Sequence, residues 1–186
     1  MSAPAVSIPW WGPLLGAVIG VLLGFGLNEL RERCRRDRER RGHFEALAAE
    51  LQICATMALG YLKGGVMAPA YRMPTVAYSR SLPALLADGV LEFSETEALI
   101  RFYVGAQSFN FALDQAQQLL MQKPDERPEK RLDLEVGRAQ LKARKLAKDS
   151  EKPNHYDGAI AVVRVHLPKK SHGRLSIEEE DLSEPT

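Results

Sequence analysis

The stretch IPWWGPLLGAVIGVLLGFGL, residues 8–27, determines how the rest of the chain is interpreted. It has no charged side chain over about 20 residues, and at about 1.5 Å per residue of helix this is roughly 30 Å, the thickness of a bilayer's hydrocarbon core. Trp10 and Trp11 near its start are typical of the aromatic belt at a membrane interface. The sequence therefore predicts a transmembrane helix over 9–29, preceded by a short segment, 1–8, outside the membrane.

Glycines recur at every fourth position of this apolar stretch. Gly12, Gly16, Gly20 and Gly24 fall on one stripe of a helix, where the missing side chains let a second backbone approach closely. Glycine is common in membrane helices generally, so one such pair would indicate little. Four in register predict helix–helix packing in the membrane, most simply as a homo-oligomer formed through the span.

An arginine-rich run follows the apolar stretch. Between residues 31 and 41 seven arginines oppose three acids, which leaves a net charge of +4. The positive-inside rule then places the N-terminus outside and the C-terminal domain in the cytoplasm of a plasma or inner membrane. Anionic lipid attracts such cations, and the expected lipid contacts are Arg31, Arg33, Arg35, Arg36 and Arg38. Nucleic acid is not expected as a partner, because acids are interleaved and stacking aromatics are missing nearby.

The remaining chain has the pattern of amphipathic helices, so the predicted fold class is all-α. Residues 30–42 are polar on every side and predict a charged helical stalk, and 43–167 predicts a small antiparallel helical bundle. Its helices are expected at about 43–62, 76–87, 94–122 and 129–149. Apolar residues of the third recur at alternating spacings of three and four, as in a heptad seam: Leu99, Phe102, Ala106, Phe109, Leu113, Ala116 and Leu120.

Three local patterns complete the prediction of the fold. Ser94 and Glu97 have the spacing of a capping box at the start of the third helix of the bundle. The segment AIAVVRVHL, 159–167, stays open between strand and helix, because its β-branched residues favour a strand but no partner strand is apparent. Residues 168–186 turn polar, carry the run EEED at 178–181 and predict a disordered acidic tail.

Few residues suggest chemistry. Cys34 and Cys54 are 20 residues apart on one predicted helix, so they cannot bridge each other within the chain and suit a reducing cytoplasm. The four histidines lack metal-ligand spacing. The aromatic cluster Phe102, Tyr103, Phe109 and Phe111 is expected to be core, and Asn110 to be a satisfied polar residue within it. No catalytic residue, cofactor or metal is expected.

The run PWWGPLLGAVIGVLLGFGLNELRERCRRDRER, residues 9–40, followed by a helical domain, resembles the layout of uncharacterised bacterial inner-membrane proteins with one N-terminal span. This resemblance implies no known activity. The function expected is a non-enzymatic, membrane-anchored interaction or scaffold module with a cytoplasmic protein partner. An oligomeric pore-forming or membrane-disturbing effector, assembled through the glycine-striped span, is the alternative, and an enzyme of unfamiliar type is a third possibility.

Overall fold

A computed structural model describes residues 12–66, 69–123, 128–148 and 154–168, and the side chains of its first helix from Ala17 onward. Every regular element in these ranges is an α-helix, which confirms the all-α class. The helices are α1 (Gly12–Gly64), α2 (Val76–Ala87), α3 (Phe93–Leu120), α4 (Glu129–Leu146) and α5 (His155–His166).

The chain falls into two units, Met1–Arg40 and Arg41–Thr186, and α1 contributes to both. Within the described residues, no helix combines the length and the apolar character needed to cross a membrane. The predicted span over 9–29 is described only from Gly12 onward. The predicted acidic tail lies outside the described residues from 169 to its end.

Helix α3 is the centre of the second unit. Ring contacts join it to α1, α2 and α5, with centroid separations of 5.2, 4.1 and 6.5 Å for Tyr61–Phe109, Tyr78–Tyr103 and Phe102–Tyr156. Helix α4 packs on α3 at Gly105, where a Cβ would lie only 3.1 Å from the Leu146 side chain. A glycine at this position therefore allows the two helices to approach closely.

The buried face of α3 follows the predicted heptad seam and is wider than it. The seam is buried from Leu99 to Ala116, whereas Leu120 is partly exposed and Leu119 is buried. Phe111 is 67% exposed, so its interpretation as core is wrong. It lies two positions beyond the buried Phe109, about 200° around the helix, and therefore points away from the core.

The start of α3 differs from the prediction by two residues. The N-cap is Glu92, whose backbone N–H donates to Glu95 Oε2 at 2.9 Å, so the predicted box on Ser94 and Glu97 is wrong. Glu92 and Glu95 have the same three-residue spacing as the predicted pair. The second oxygen of Glu95 lies 3.0 Å from Nε2 of His166, and this distant contact favours the earlier register.

The segment that the sequence left open between strand and helix belongs to α5. Asn154 caps this helix, since its Oδ1 accepts a hydrogen bond from the Asp157 N–H at 2.9 Å. One face of α5 is buried, through Tyr156, Ala159, Ile160, Val162 and Val163. Burial against α3 thus outweighs the strand preference of the β-branched residues.

Candidate functional site

The structure describes the predicted glycine stripe only in part. The tryptophans at 10–11 lie outside the described residues, and Gly12 and Gly16 belong to the α1 backbone. A Cβ added at Gly20 or Gly24 would meet nothing within 4 Å. The stripe is therefore open where it is described, and its packing against a second helix stays a prediction.

The five arginines predicted to contact lipid are all exposed on α1. Three of them pair along the helix, Arg33 with Glu29, Arg35 with Glu32 and Glu39, and Arg36 with Glu32. Hydrogen bonds from Arg35 and Arg36 lower the pKa of Glu32 to about 2. Arg31 and Arg38 have no acidic partner among the described residues, so they are the cations most available to a lipid phosphate.

The connection between α1 and α2 is held by side chains of the neighbouring helices. In residues 69–75, both backbone polar atoms of Met73 bind the Asn110 amide, at 2.8 Å to Oδ1 and 2.9 Å to Nδ2. The Tyr61 hydroxyl likewise donates to the Tyr71 carbonyl and accepts from the Tyr71 N–H. Asn110 thus holds the backbone of Met73 through both ends of its amide, which is a structural role.

A buried carboxylate of α1 caps the start of α2. Glu50 is only 5% exposed, and its two oxygens accept hydrogen bonds from the N–H groups of Ala77 and Tyr78 at 2.7 and 3.0 Å. Thr75, at the N-cap position, makes no side-chain cap. A carboxylate at a helix N-terminus satisfies orphan donors and interacts favourably with the helix dipole. This contact gives the buried carboxylate its hydrogen-bond partners.

Tyr103 and Cys54 lie close to the same carboxylate, and neither ionises near neutral pH. Burial, followed by the charge of Glu50, raises the pKa of Tyr103 far above its usual range, and its hydroxyl has no hydrogen-bond partner among the described residues. Burial raises the pKa of the Cys54 thiol to about 12. Because the thiolate is the reactive form, burial and the raised pKa both lower the reactivity of Cys54.

Two histidine pairs connect residues that are far apart in the sequence. His43 Nδ1 lies 3.1 Å from Ser81 Oγ, but Ser81 is only 2% exposed, so a substrate cannot reach it. His166, paired with Glu95, stacks on the Phe44 ring at 4.5 Å. Both pairs join helices of the second unit. Within the described ranges, no cluster of His, Cys, Asp or Glu could hold a metal ion.

Two adjoining clefts lie between α3 and α4, with volumes of about 340 and 520 Å³. Ser108 and Lys142 line both, and we refer to the two together as the basic cleft. Its apolar surface comes from Ile100, Val104 and Phe111, all exposed. Its cations are Arg101, Arg138, Lys142 and Lys145.

The charge of the basic cleft is positive. Its two acids already have cationic partners, since Glu97 pairs with Arg101 and Glu135 with Arg138. Lys142 and Lys145 have no acidic partner among the described residues. Their net contribution of two positive charges is therefore not neutralised by the described lining.

His155, the first residue of α5, shows how these cations converge. Burial lowers the pKa of His155, and the positive charges of Lys145, Arg101 and Lys142 lower it further. Three cations from two helices thus act on one imidazole that lines the first cleft. An anionic group in this space would be attracted chiefly by Lys142 and Lys145, because Glu97 pairs with Arg101.

Cations beside exposed apolar side chains favour the binding of a segment that is both acidic and partly apolar. The sequence did not predict this surface, because its cations come from helices more than 30 residues apart and no local spacing indicates their convergence. No protein-family model, curated protein or solved structure matches the chain.

Proposed function

We propose that this chain is a non-enzymatic, membrane-anchored interaction protein. One observation carries the proposal: large apolar side chains of α1 between Val18 and Leu30 are between 54% and 73% exposed. They are Val18, Ile19, Val21, Leu22, Leu23, Phe25, Leu27 and Leu30. A contiguous apolar surface of this kind marks a membrane or protein contact. Its position at the start of the Arg-rich run favours lipid.

In this proposal the apolar segment lies in the bilayer, with the N-terminus outside and the second unit in the cytoplasm. Arg31 follows the segment directly, Arg38 lies about two helical turns further on, and both are available to anionic headgroups. The glycine stripe joins the spans of two copies. The second unit then binds a cytoplasmic protein, and the basic cleft is its docking surface for an acidic segment.

Alkaline carbonate extraction of native membranes tests the anchor. The wild-type chain is expected in the membrane pellet, because the apolar segment is held by lipid. The double variant Leu22→Lys with Leu23→Lys is expected in the supernatant. Ile53→Lys, which changes a half-exposed residue of the second unit, is the matched control and should stay in the pellet. Wild-type protein in the supernatant would overturn the anchor.

The orientation has a test of its own. A reporter that is active only outside the cytoplasm, fused after Thr186, is expected to give no signal, because the positive flank keeps the second unit inside. The same reporter fused ahead of Met1 is the positive control. A strong signal from the C-terminal fusion would reverse the proposed orientation.

Cross-linking at Cys34 tests the glycine stripe, because this thiol is exposed on α1 whereas Cys54 is buried. Wild type is expected to give a Cys34-dependent dimer in membranes. Gly16→Leu with Gly20→Leu should abolish it by filling the stripe, whereas Gly26→Leu, off the stripe, should not. An unchanged cross-link in the double variant would contradict packing through the glycines. Overexpression tests the pore-forming alternative. If wild type collapses the membrane potential and the double variant does not, that alternative is favoured.

A further inference from the structure

We propose that the chain's own acidic segment LSIEEEDLSE, residues 175–184, binds the basic cleft and competes there with partner proteins. The inference rests on the proposed role of the cleft as a docking surface. In this proposal residues 175–184 occupy the basic cleft when no partner is bound, and a partner must displace them to bind there.

Charge complementarity is the first argument. Residues 175–184 carry five acids and no cation, a net charge of −5. The basic cleft offers Lys142 and Lys145 without acidic partners among the described residues, and Arg101 close to them. Opposite charges that meet in a cleft with apolar walls attract more strongly than on an open surface.

Apolar complementarity is the second argument. The segment places Leu175, Ile177 and Leu182 on both sides of its acidic run. The basic cleft exposes Ile100, Val104 and Phe111 along α3. A segment with apolar anchors and acidic neighbours matches this surface better than a purely acidic one, because burial of the anchors contributes affinity that salt does not screen.

The length of chain after α5 allows this binding within one molecule. His155 at the start of α5 lines the cleft, and at its end His166 contacts Glu95, two residues before the cleft residue Glu97. From Pro168 to Glu178 there are ten residues, which extend to roughly 33 Å. The acidic run can therefore return to the cleft. A tethered segment has an effective concentration on the order of millimolar, which favours this site over one on another copy.

A peptide of residues 173–186, carrying a fluorescent label, tests the proposal against two forms of the chain in detergent. The chain ending at His172 is expected to bind the peptide saturably. The full chain is expected to bind it at least about tenfold more weakly, because its own tail occupies the cleft. Added salt should weaken the peptide's affinity for the shorter chain, as expected for charged groups.

Variants of the shorter chain locate the binding. Lys142→Glu with Lys145→Glu should weaken peptide binding at least about tenfold, and a peptide with Glu178→Lys and Glu179→Lys should recover it. Arg131→Glu with Arg144→Glu changes two exposed cations of α4 outside the cleft and should leave the affinity unchanged. Circular dichroism shows whether each variant keeps its helices. Binding of the charge-reversed peptide by the charge-reversed variant shows that its cleft is still folded.

Each contrary result has a separate meaning. If the shorter chain does not bind the peptide, the basic cleft is not a docking surface for this chemistry and the proposal is overturned. If full and shorter chains bind it equally, the cleft binds acidic segments but the tail does not occupy it. If the full chain forms pairs that dissociate on dilution and depend on the tail, the tail binds a second copy instead. None of these outcomes depends on the membrane anchor.

Discussion

Both halves of α1 contain many apolar side chains, but those described in the first half are exposed and most of those of the second half are buried or partly buried. In the first half, large apolar side chains from Val18 to Leu30 are all exposed. In the second half, Phe44, Leu47 and Leu51 are fully buried. Within the described residues, one helix thus has an exposed apolar part and a buried apolar part.

The difference comes from the arrangement of the apolar residues rather than from their number. In the second half they recur at spacings of three and four, so they share one face and other helices can cover it. In the first half they occupy all sides of the helix rather than one face. In our proposal lipid surrounds this segment.

Two phenylalanines on α3 give the largest expected contrast between covered and uncovered positions. Phe109→Ala should lower the free energy of unfolding by about 3–5 kcal/mol, because its ring is fully buried. Phe111→Ala should change it by less than about 0.5 kcal/mol. Denaturant-induced loss of helicity in detergent measures both. Equal effects would contradict the buried face of α3.

The same contrast can be measured within α1. Leu51→Ala should cost about 2–5 kcal/mol of unfolding free energy, because the buried side chain leaves a cavity. Leu22→Ala should cost less than about 0.5 kcal/mol in detergent, where no protein group packs on it. A cost above about 2 kcal/mol for Leu22→Ala would mean that protein, from this or another copy, covers the first half of α1.

The buried polar contacts of the second half of α1 give a smaller effect. Glu50→Ala should lower the free energy of unfolding by about 1–3 kcal/mol, because two N–H groups at the start of α2 lose their acceptor. Thr75→Ala, at the N-cap position itself, should cost less than about 0.5 kcal/mol, since its side chain makes no cap. If the Thr75 variant is the less stable of the two, α2 is not capped by α1.

The smallest effect concerns pH. His155 has a lowered pKa in the folded chain, so below about 6.5 the unfolded chain binds more protons and the folded state loses stability as the pH falls. In the chain ending at His172, stability should fall more between pH 7 and pH 5 for wild type than for His155→Gln. The other histidines are common to both forms. Identical pH profiles would contradict the lowered pKa of His155, which burial and then the neighbouring cations cause.

The sequence was informative wherever one local pattern decides the structure. The spacing from Leu99 to Ala116 predicted the buried face of α3. For 159–167 the β-branched residues favoured a strand and the missing partner strand favoured a helix, so the two local signals conflicted. The predicted register of the α3 cap was wrong, since Glu92 and Glu95 form a box with the same spacing, and Glu95 also contacts His166, more than 70 residues away. The spacing of residues along the sequence does not show such a contact.

The basic cleft and the buried contacts of Glu50 were beyond prediction for the same reason. Glu50 caps a helix that begins 26 residues later, and nothing in its neighbourhood on α1 indicates a buried carboxylate. Arg101 and Lys145 become neighbours of His155 only after α3, α4 and α5 have packed together. The sequence shows these residues as ordinary exposed charges, and only the packing of the helices gives them a common site.

In our proposal lipid covers the apolar segment of α1 from Val18 to Leu30, and a spin label at Leu22→Cys tests this most directly. Cys34→Ser removes the other exposed thiol, and the buried Cys54 does not react. In membranes, the label should collide more often with oxygen than with a water-soluble nickel complex. A label at Phe111→Cys should show the reverse. Nickel-dominated collisions at Leu22 would place it in water, low collision rates with both reagents would place it against protein, and either result would contradict the account.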